Sequence, residues 1–343
     1  MLYSLLKIKS ILNNKNLQCF DDLLYLGNGH ASDVLVSNKK IALEILKSKD
    51  FQVYNFQERL QFAEHLAKKP LLRTSDHFSK QPLLIDGQSH VESRKKLIKV
   101  YELIYKDLDL WIKNFTESFF NGISNHKIDA IMLIDHFINS VFVEIIARYL
   151  QVHRSDIPKT PTGILSQLIP DNKVIETFEL RLENLTGFVK SRLSELNRSQ
   201  DEEWILTSIP VQGYETMLGA LVYGLLNDPQ NIQWEAAELM RSASSVSLLT
   251  RVARENVEIF GTQFYKNQLV FISPYAVNMN EYFESDKSIE FGYGKKLCPG
   301  KKMSLRIAQE FLNSFYINND LSLIIQKEGV FFERLSVLTP KRS

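Results

Sequence analysis

Cysteine is nearly absent from this sequence: Cys19 and Cys298 are the two in 343 residues. They cannot build a disulfide framework, and with no CxxC pair they do not supply the ligand set of a structural zinc site, so a reducing, cytoplasmic setting is expected. Charge of one sign is also lacking. Against 41 Lys and Arg stand 40 Asp and Glu, a net charge of +1, which gives no bulk attraction to a nucleic acid. No apolar run reaches the roughly 20 residues of a membrane span. The opening segment MLYSLLKIKSILNNKN is interrupted by Lys7 and Lys9 and has no small-residue cleavage site, so it does not read as a secretory signal. Repeats, low-complexity tracts and Pro, Gly or Ser-rich linkers are missing too, which leaves one soluble globular domain over residues 1–343.

What is present is mostly helical periodicity. LIKVYELIYKDLDLWIKNFTESFF (97–120) and IDHFINSVFVEIIARYLQV (134–152) carry apolar residues at three and four spacing, one buried stripe each. PKTPTG (158–163) reads as a loop and NRSQDEE (197–203) as a polar break. Four short β-branched or aromatic stretches, SDVLVS (32–37), VSLLTRVA (246–253), VEIFG (257–261) and QLVFIS (268–273), read as strands. The fold class is therefore mainly α with a small β component.

One of the two cysteines lies in FGYGKKLCPGKK (291–302), among three glycines, a proline and four lysines. Gly292, Gly294 and Gly300 mark positive φ or close approach, and Pro299 stiffens the turn. The periodic segment KKMSLRIAQEFLNSF follows at once, so Cys298 stands just before a helix, where N–H groups and the helix dipole stabilise a thiolate. A small core cysteine in a glycine turn is the plainer alternative.

The spacing resembles the haem-binding loop FGxGxRxCxG of the cytochromes P450, matching at Phe291, Gly292, Gly294, Cys298 and Gly300. The resemblance implies the P450 fold, a single triangular haem domain, with haem b as cofactor and Cys298 as the axial thiolate that favours O–O cleavage. Other segments follow in the family's order. ELMR (238–241) resembles the ExxR motif, in which Glu238 and Arg241 pair and hold the core around the ligand loop. Arg251 follows where the family has a propionate-binding arginine. DGQSHVESRKK (86–96) resembles the helix whose His and Arg contact the propionates, at His90 and Arg94, one turn apart on one face. QGYETM (212–217) resembles the distal motif at Gly213, Glu215 and Thr216. By that likeness Gly213 allows close approach of oxygen and haem, and Thr216 and Glu215 relay protons. Taken singly, each of these would be an ordinary helix residue, ion pair or buried histidine.

The sequence departs from the family in three ways. It is short, abbreviated before the ExxR helix, between Pro229 and Glu238, and again before the cysteine loop, between Asn280 and Phe291. Lys296 replaces an arginine or histidine, bringing a point charge and not a planar fork to a propionate. Gln212 stands where a small residue is usual, after a helix-interrupting Pro210, and its amide is expected to face the space over the iron, joining Thr216 and Glu215 in catalysis.

The function so implied is that of a bacterial-type haem-thiolate monooxygenase of secondary metabolism. It would oxidise a small, partly apolar substrate, free or tethered to a carrier protein, with O2 and two electrons from a ferredoxin or flavodoxin. Lys295, Lys296, Lys301 and Lys302 would steer such an acidic partner. Two alternatives stay open: a peroxide-driven or non-oxygenating haem-thiolate enzyme (dehydratase, isomerase or coupling catalyst), and a haem-binding homologue without turnover.

Overall fold

The computed structural model describes residues 23–27, 31–54, 60, 61, 64, 65, 68–123, 130–162, 172–227, 235–242, 246, 248–280 and 288–317. Its helices are α1 Lys39–Lys47, α2 Leu72–Ser79, α3 Gly87–Asn121, α4 Ala130–Leu150, α5 Asn172–Glu195, α6 Glu203–Ser208, α7 Tyr214–Asn227, α8 Ala236–Ser242, α9 Pro274–Asn280 and α10 Lys301–Ile317. Its strands are β1 Leu23–Tyr25, β2 Val34–Val36, β3 Phe51–Val53, β4 Leu249–Ala253, β5 Val257–Ile259, β6 Thr262–Phe264 and β7 Leu269–Ile272.

The helices form where periodicity gives them a face to bury. In α3 the stripe Leu97, Val100, Ile104, Leu108, Trp111 and Ile112 is buried against α4 and α10. The helix begins at Gly87, ten residues before the stripe suggests, and this extension carries His90 and Arg94. α4 stops two residues short of the expected end because Gln151 adopts a left-handed φ of 53° and the Val152 N–H closes back on the Ala147 carbonyl.

Between α6 and α7 the chain does not run as one α-helix. Ile209–Gly213 is a π turn with Pro210 in its first turn. Proline has no N–H to give and its ring crowds the carbonyl four residues back, so the ladder resumes through a wider turn.

Five strands form one sheet in the order β1-β2-β7-β4-β3, and β5 and β6 form a hairpin. β2 and β7 run parallel and the other neighbours antiparallel, with Arg251 of β4 opposite Val53 on one side and Val270 on the other. The four strands expected from sequence are present in shortened form. β1, β3 and β6 are additional, and each is three residues long, too short for alternation to show. Among the described residues the core includes a large helical cluster built on α3 to α8 and α10, a smaller one between α1 and the sheet, and a third where Phe78 of α2 meets Phe178 and Leu182 of α5 and Val211 of the π turn described above. Among the described residues no helix is long and apolar enough to cross a membrane. Cys19 and Gly163 lie outside the described residues, as do most of the two segments expected to be abbreviated.

Candidate functional site

The loop before α10 is closed by its own backbone. Cys298 N–H donates to the Phe291 carbonyl at 2.7 Å, and Gly292 N–H to that of Ile289 at 2.9 Å. Gly292 sits at φ +77°, and a β-carbon there would stand 2.8 Å from the Lys296 carbonyl oxygen, so no side chain fits. A β-carbon on Gly300 would meet the Tyr101 ring at 3.4 Å and Sγ of Cys298 at 3.7 Å. Cys298 is partly buried and makes no disulfide. Enclosure pushes its thiol pKa up; N–H groups of Gly300 and Lys301 and the charges of Arg94 and Lys301 act the other way and favour the thiolate. Lys301 itself lies over the Phe291 ring, 5.5 Å from its centroid.

Cationic groups gather beside this loop from three separate elements. Arg94 comes from α3, Arg251 from β4 and Lys296 from the loop, and burial together with the like charges of Arg251 and Arg94 lowers the Lys296 pKa. Arg251 is buried, and burial lowers its pKa while the Asp86 carboxylate raises it. Its one side-chain hydrogen bond among the described residues goes from Nη1 to the Thr250 carbonyl at 2.9 Å. Arg94 is half-buried, and among the described residues it forms no ion pair.

His90 and Lys296 are engaged by the protein. His90 is buried, with Nδ1 2.8 Å from the Pro82 carbonyl and 3.0 Å from Lys296 Nζ, and with Nε2 3.2 Å from the Lys295 carbonyl. Burial is the main cause of its lowered pKa. Lys296 Nζ lies 3.0 Å from Asp86 Oδ1 and 2.9 Å from the Pro82 carbonyl, and it also donates to Ile85.

On the distal side, the Thr216 hydroxyl reaches back to the carbonyls of Gln212 at 2.8 Å and Gly213 at 3.0 Å, at the end of the π turn. Its single proton is thereby committed to the helix, and its oxygen lone pairs remain to accept a hydrogen bond. Glu215 is buried and Gln212 half-buried beside it. A β-carbon on Gly213 would meet Cζ of Phe142 on α4 at 2.9 Å, so helix packing is a further reason for the glycine.

The pairing of Glu238 with Arg241 is present on α8, but as a contact of 3.8 Å between side chains 54% and 33% exposed. It is a surface pair and not the buried one the motif led us to expect, and it contributes less than about 1 kcal/mol. Tyr101 escaped the sequence reading. Its hydroxyl hydrogen-bonds Ser208 on α6, its pKa is raised by burial, and its ring lies against Gly300, so it links the cysteine loop to the distal helix. The signal for it was its place on the face of α3 that carries His90, Arg94 and Leu97, at four-, three- and four-residue steps.

This architecture is the cytochrome P450 fold. The epothilone D-bound cytochrome P450epoK is similar with a TM-score of 0.69 at 13% identity, over 90% of this chain and 88% of that one. PksS, the cytochrome P450 of the Bacillus subtilis bacillaene polyketide synthase, matches with a TM-score of 0.66 at 15% identity, over 90% and 88%. P450BioI, solved in complex with an acyl carrier protein bearing hexadec-9Z-enoic acid, matches with a TM-score of 0.64 at 15% identity over 91% of both chains. No protein-family model and no curated protein sequence matches the chain.

Proposed function

We propose that the chain is a haem-thiolate monooxygenase that oxidises a small, partly apolar organic substrate with O2 and two electrons from a ferredoxin or flavodoxin. The observation that carries this reading is Cys298. A single enclosed thiol stands at the start of α10 in a loop closed by its own backbone, with N–H groups directed at the sulfur and arginines from two other elements alongside. That donor set suits an iron porphyrin: one thiolate for the metal, and two under-used guanidinium groups, Arg94 and Arg251, for a pair of carboxylates.

Haem b, when bound, supplies the redox-active iron that activates dioxygen. The side chains around it have separate tasks. Arg94, Lys301 and the N–H groups of Gly300 and Lys301 would offset part of the rise that enclosure gives the Cys298 thiol pKa, leaving the rest of the stabilisation of a thiolate to the iron. Thr216 offers hydroxyl lone pairs from the widened turn, Glu215 a carboxyl group one residue away, and Gln212 an amide; together they can hold a water and pass protons inward. Val246 and the Leu248–Thr250 stretch stand where the family lines its substrate pocket. A relative solved with an acyl-carrying protein supports a carrier-tethered substrate for this chain as well. Lys295 and Lys302 are exposed on the ligand-loop side and would steer an acidic electron donor.

The test is spectroscopic. Purified protein should bind one haem, and its reduced carbon monoxide complex should show the red-shifted Soret band of thiolate ligation. Cys298→Ser should abolish that band. Turnover with NADPH and a surrogate ferredoxin system, and none with peroxide alone, identifies a monooxygenase. Retention of the band in Cys298→Ser would end the proposal.

A further inference from the structure

Two cationic residues of the cluster are already committed elsewhere. An ammonium has three protons to give, and Lys296 Nζ faces three oxygen acceptors, the Pro82 carbonyl at 2.9 Å, the Ile85 carbonyl and Asp86 Oδ1 at 3.0 Å, with His90 Nδ1 also 3.0 Å away. Its side chain is 10% exposed, so water does not compete. His90 is held in the same way, with the Pro82 carbonyl 2.8 Å from Nδ1 and the Lys295 carbonyl 3.2 Å from Nε2. Whichever ring nitrogen carries the proton, a backbone carbonyl takes it, so the neutral ring has no N–H left to offer a propionate. Asp86 completes the arrangement. Its Oδ2 accepts from Val53 N–H at 2.8 Å, and Val53 is the strand partner of Arg251.

We propose that Lys296 and His90 are not propionate ligands but an internal tie, anchored on Asp86, that fastens the cysteine loop to the 82–90 segment and positions Cys298, leaving the haem carboxylates to Arg94 and Arg251. The inference rests on the haem reading above. Moving the ammonium onto a propionate would leave the half-buried Asp86 carboxylate with one N–H donor, and a carboxylate stripped of its cation is strongly destabilising. Among the described residues Arg94 and Arg251 form no ion pair, and Arg251 gives a hydrogen bond to the Thr250 carbonyl. The lysine that replaces the family's arginine or histidine is therefore matched to an acceptor cage within the chain.

Haem and its dimethyl ester, which lacks both carboxylates, separate the two roles. Wild type, Lys296→Met, Asp86→Asn, their double variant and Arg94→Gln are reconstituted with each porphyrin, and melting temperature and transfer of porphyrin to apomyoglobin are measured. Lys296→Met should lower the melting temperature by roughly 5 to 15 °C with either porphyrin, and the double variant should melt no lower. Arg94→Gln should speed transfer of haem about tenfold and leave transfer of the ester unchanged. A Lys296→Met protein that loses haem faster but not the ester, with Asp86→Asn melting like wild type, overturns the inference. Should Lys296→Met fail to fold, Asp86→Asn carries the same comparison. A wild type that takes up neither porphyrin would overturn the haem reading and the propionate assignment with it, and the tie then stands or falls on the same variant cycle in the melting of the chain alone.

Discussion

Gly213 and Phe142 are in contact at a distance that leaves no room for a methyl group: a β-carbon on the glycine would lie 2.9 Å from Cζ of the phenylalanine ring. The ring is 1% exposed and packed in the main core, so it cannot swing away. Alanine is the better helix former by about 1 kcal/mol, yet Gly213→Ala should lower stability by roughly 1 to 3 kcal/mol, because overpacking outweighs propensity. Phe142→Leu should restore much of the loss in the double variant. Denaturant unfolding of the four proteins checks this, and additive effects would show that the two residues do not meet.

The Thr216 hydroxyl donates to the carbonyls of Gln212 and Gly213 where the π turn passes into α7. Thr216→Ser should keep both the turn and the chemistry. Thr216→Val removes the oxygen at nearly constant shape, and we expect stability to fall by about 1 kcal/mol while NADPH consumption continues and peroxide replaces product. Gln212→Ala, set beside it, should shift substrate affinity or the share of electrons lost to peroxide. Peroxide release equal to wild type in Thr216→Val would remove the hydroxyl from proton delivery.

Much of this site could be read before any fold was known, because its logic is local. The cysteine loop is specified by glycines within ten residues, and the positive φ of Gly292 and Gly294 is what their spacing announces. His90 and Arg94 share a face by helical period alone. What could not be read depends on distant partners. Nothing in a local pattern says that Lys296 meets Asp86, 210 residues away in sequence. Nor does the distal motif announce the aromatic ring of α4 that packs on Gly213. The exposure of Glu238 and Arg241 likewise follows from how α8 packs, which a four-residue motif does not encode.

α2 owes its capped start to another helix. Leu71 precedes it without a side-chain cap, and Glu179 of α5 accepts instead from Arg73 N–H at 2.8 Å, Thr74 N–H at 3.0 Å and the Thr74 hydroxyl at 2.5 Å. Arg73 pairs with Glu183 at 3.4 Å and Lys69 with Glu176 at 3.8 Å, so the acidic face of α5 clasps the start of α2. Losing the cap should cost roughly 1 to 2 kcal/mol, felt locally. In Glu179→Ala, hydrogen exchange should accelerate over residues 72–79 far more than in α3. Uniform exchange across both helices would contradict a tertiary cap.

His77 gives the fold a pH dependence of known sign. It is buried on α2, bonded through Nε2 to Gln81 Nε2 at 3.1 Å and through Nδ1 to the Thr207 hydroxyl at 3.3 Å, and burial lowers its pKa to about 3. The Gln81 amide donates to Nε2, so the ring proton sits on Nδ1 and points at Thr207, whose own hydroxyl bonds the Glu203 carbonyl at 3.0 Å. With the amide donating to Nε2, burial withholds a second proton from the ring. Between the unfolded value near 6.5 and the folded value near 3, the unfolded chain therefore binds one more proton at this site than the native one. Stability from this group is complete above about pH 6.5 and falls by up to about 1.4 kcal/mol per unit as the pH drops below it. Replacing His77 with Gln removes the titration. Its unfolding free energy should lie below that of wild type at pH 7 and change less steeply between pH 6.5 and 4; parallel curves for the two proteins over that window would show that His77 is not the group that titrates.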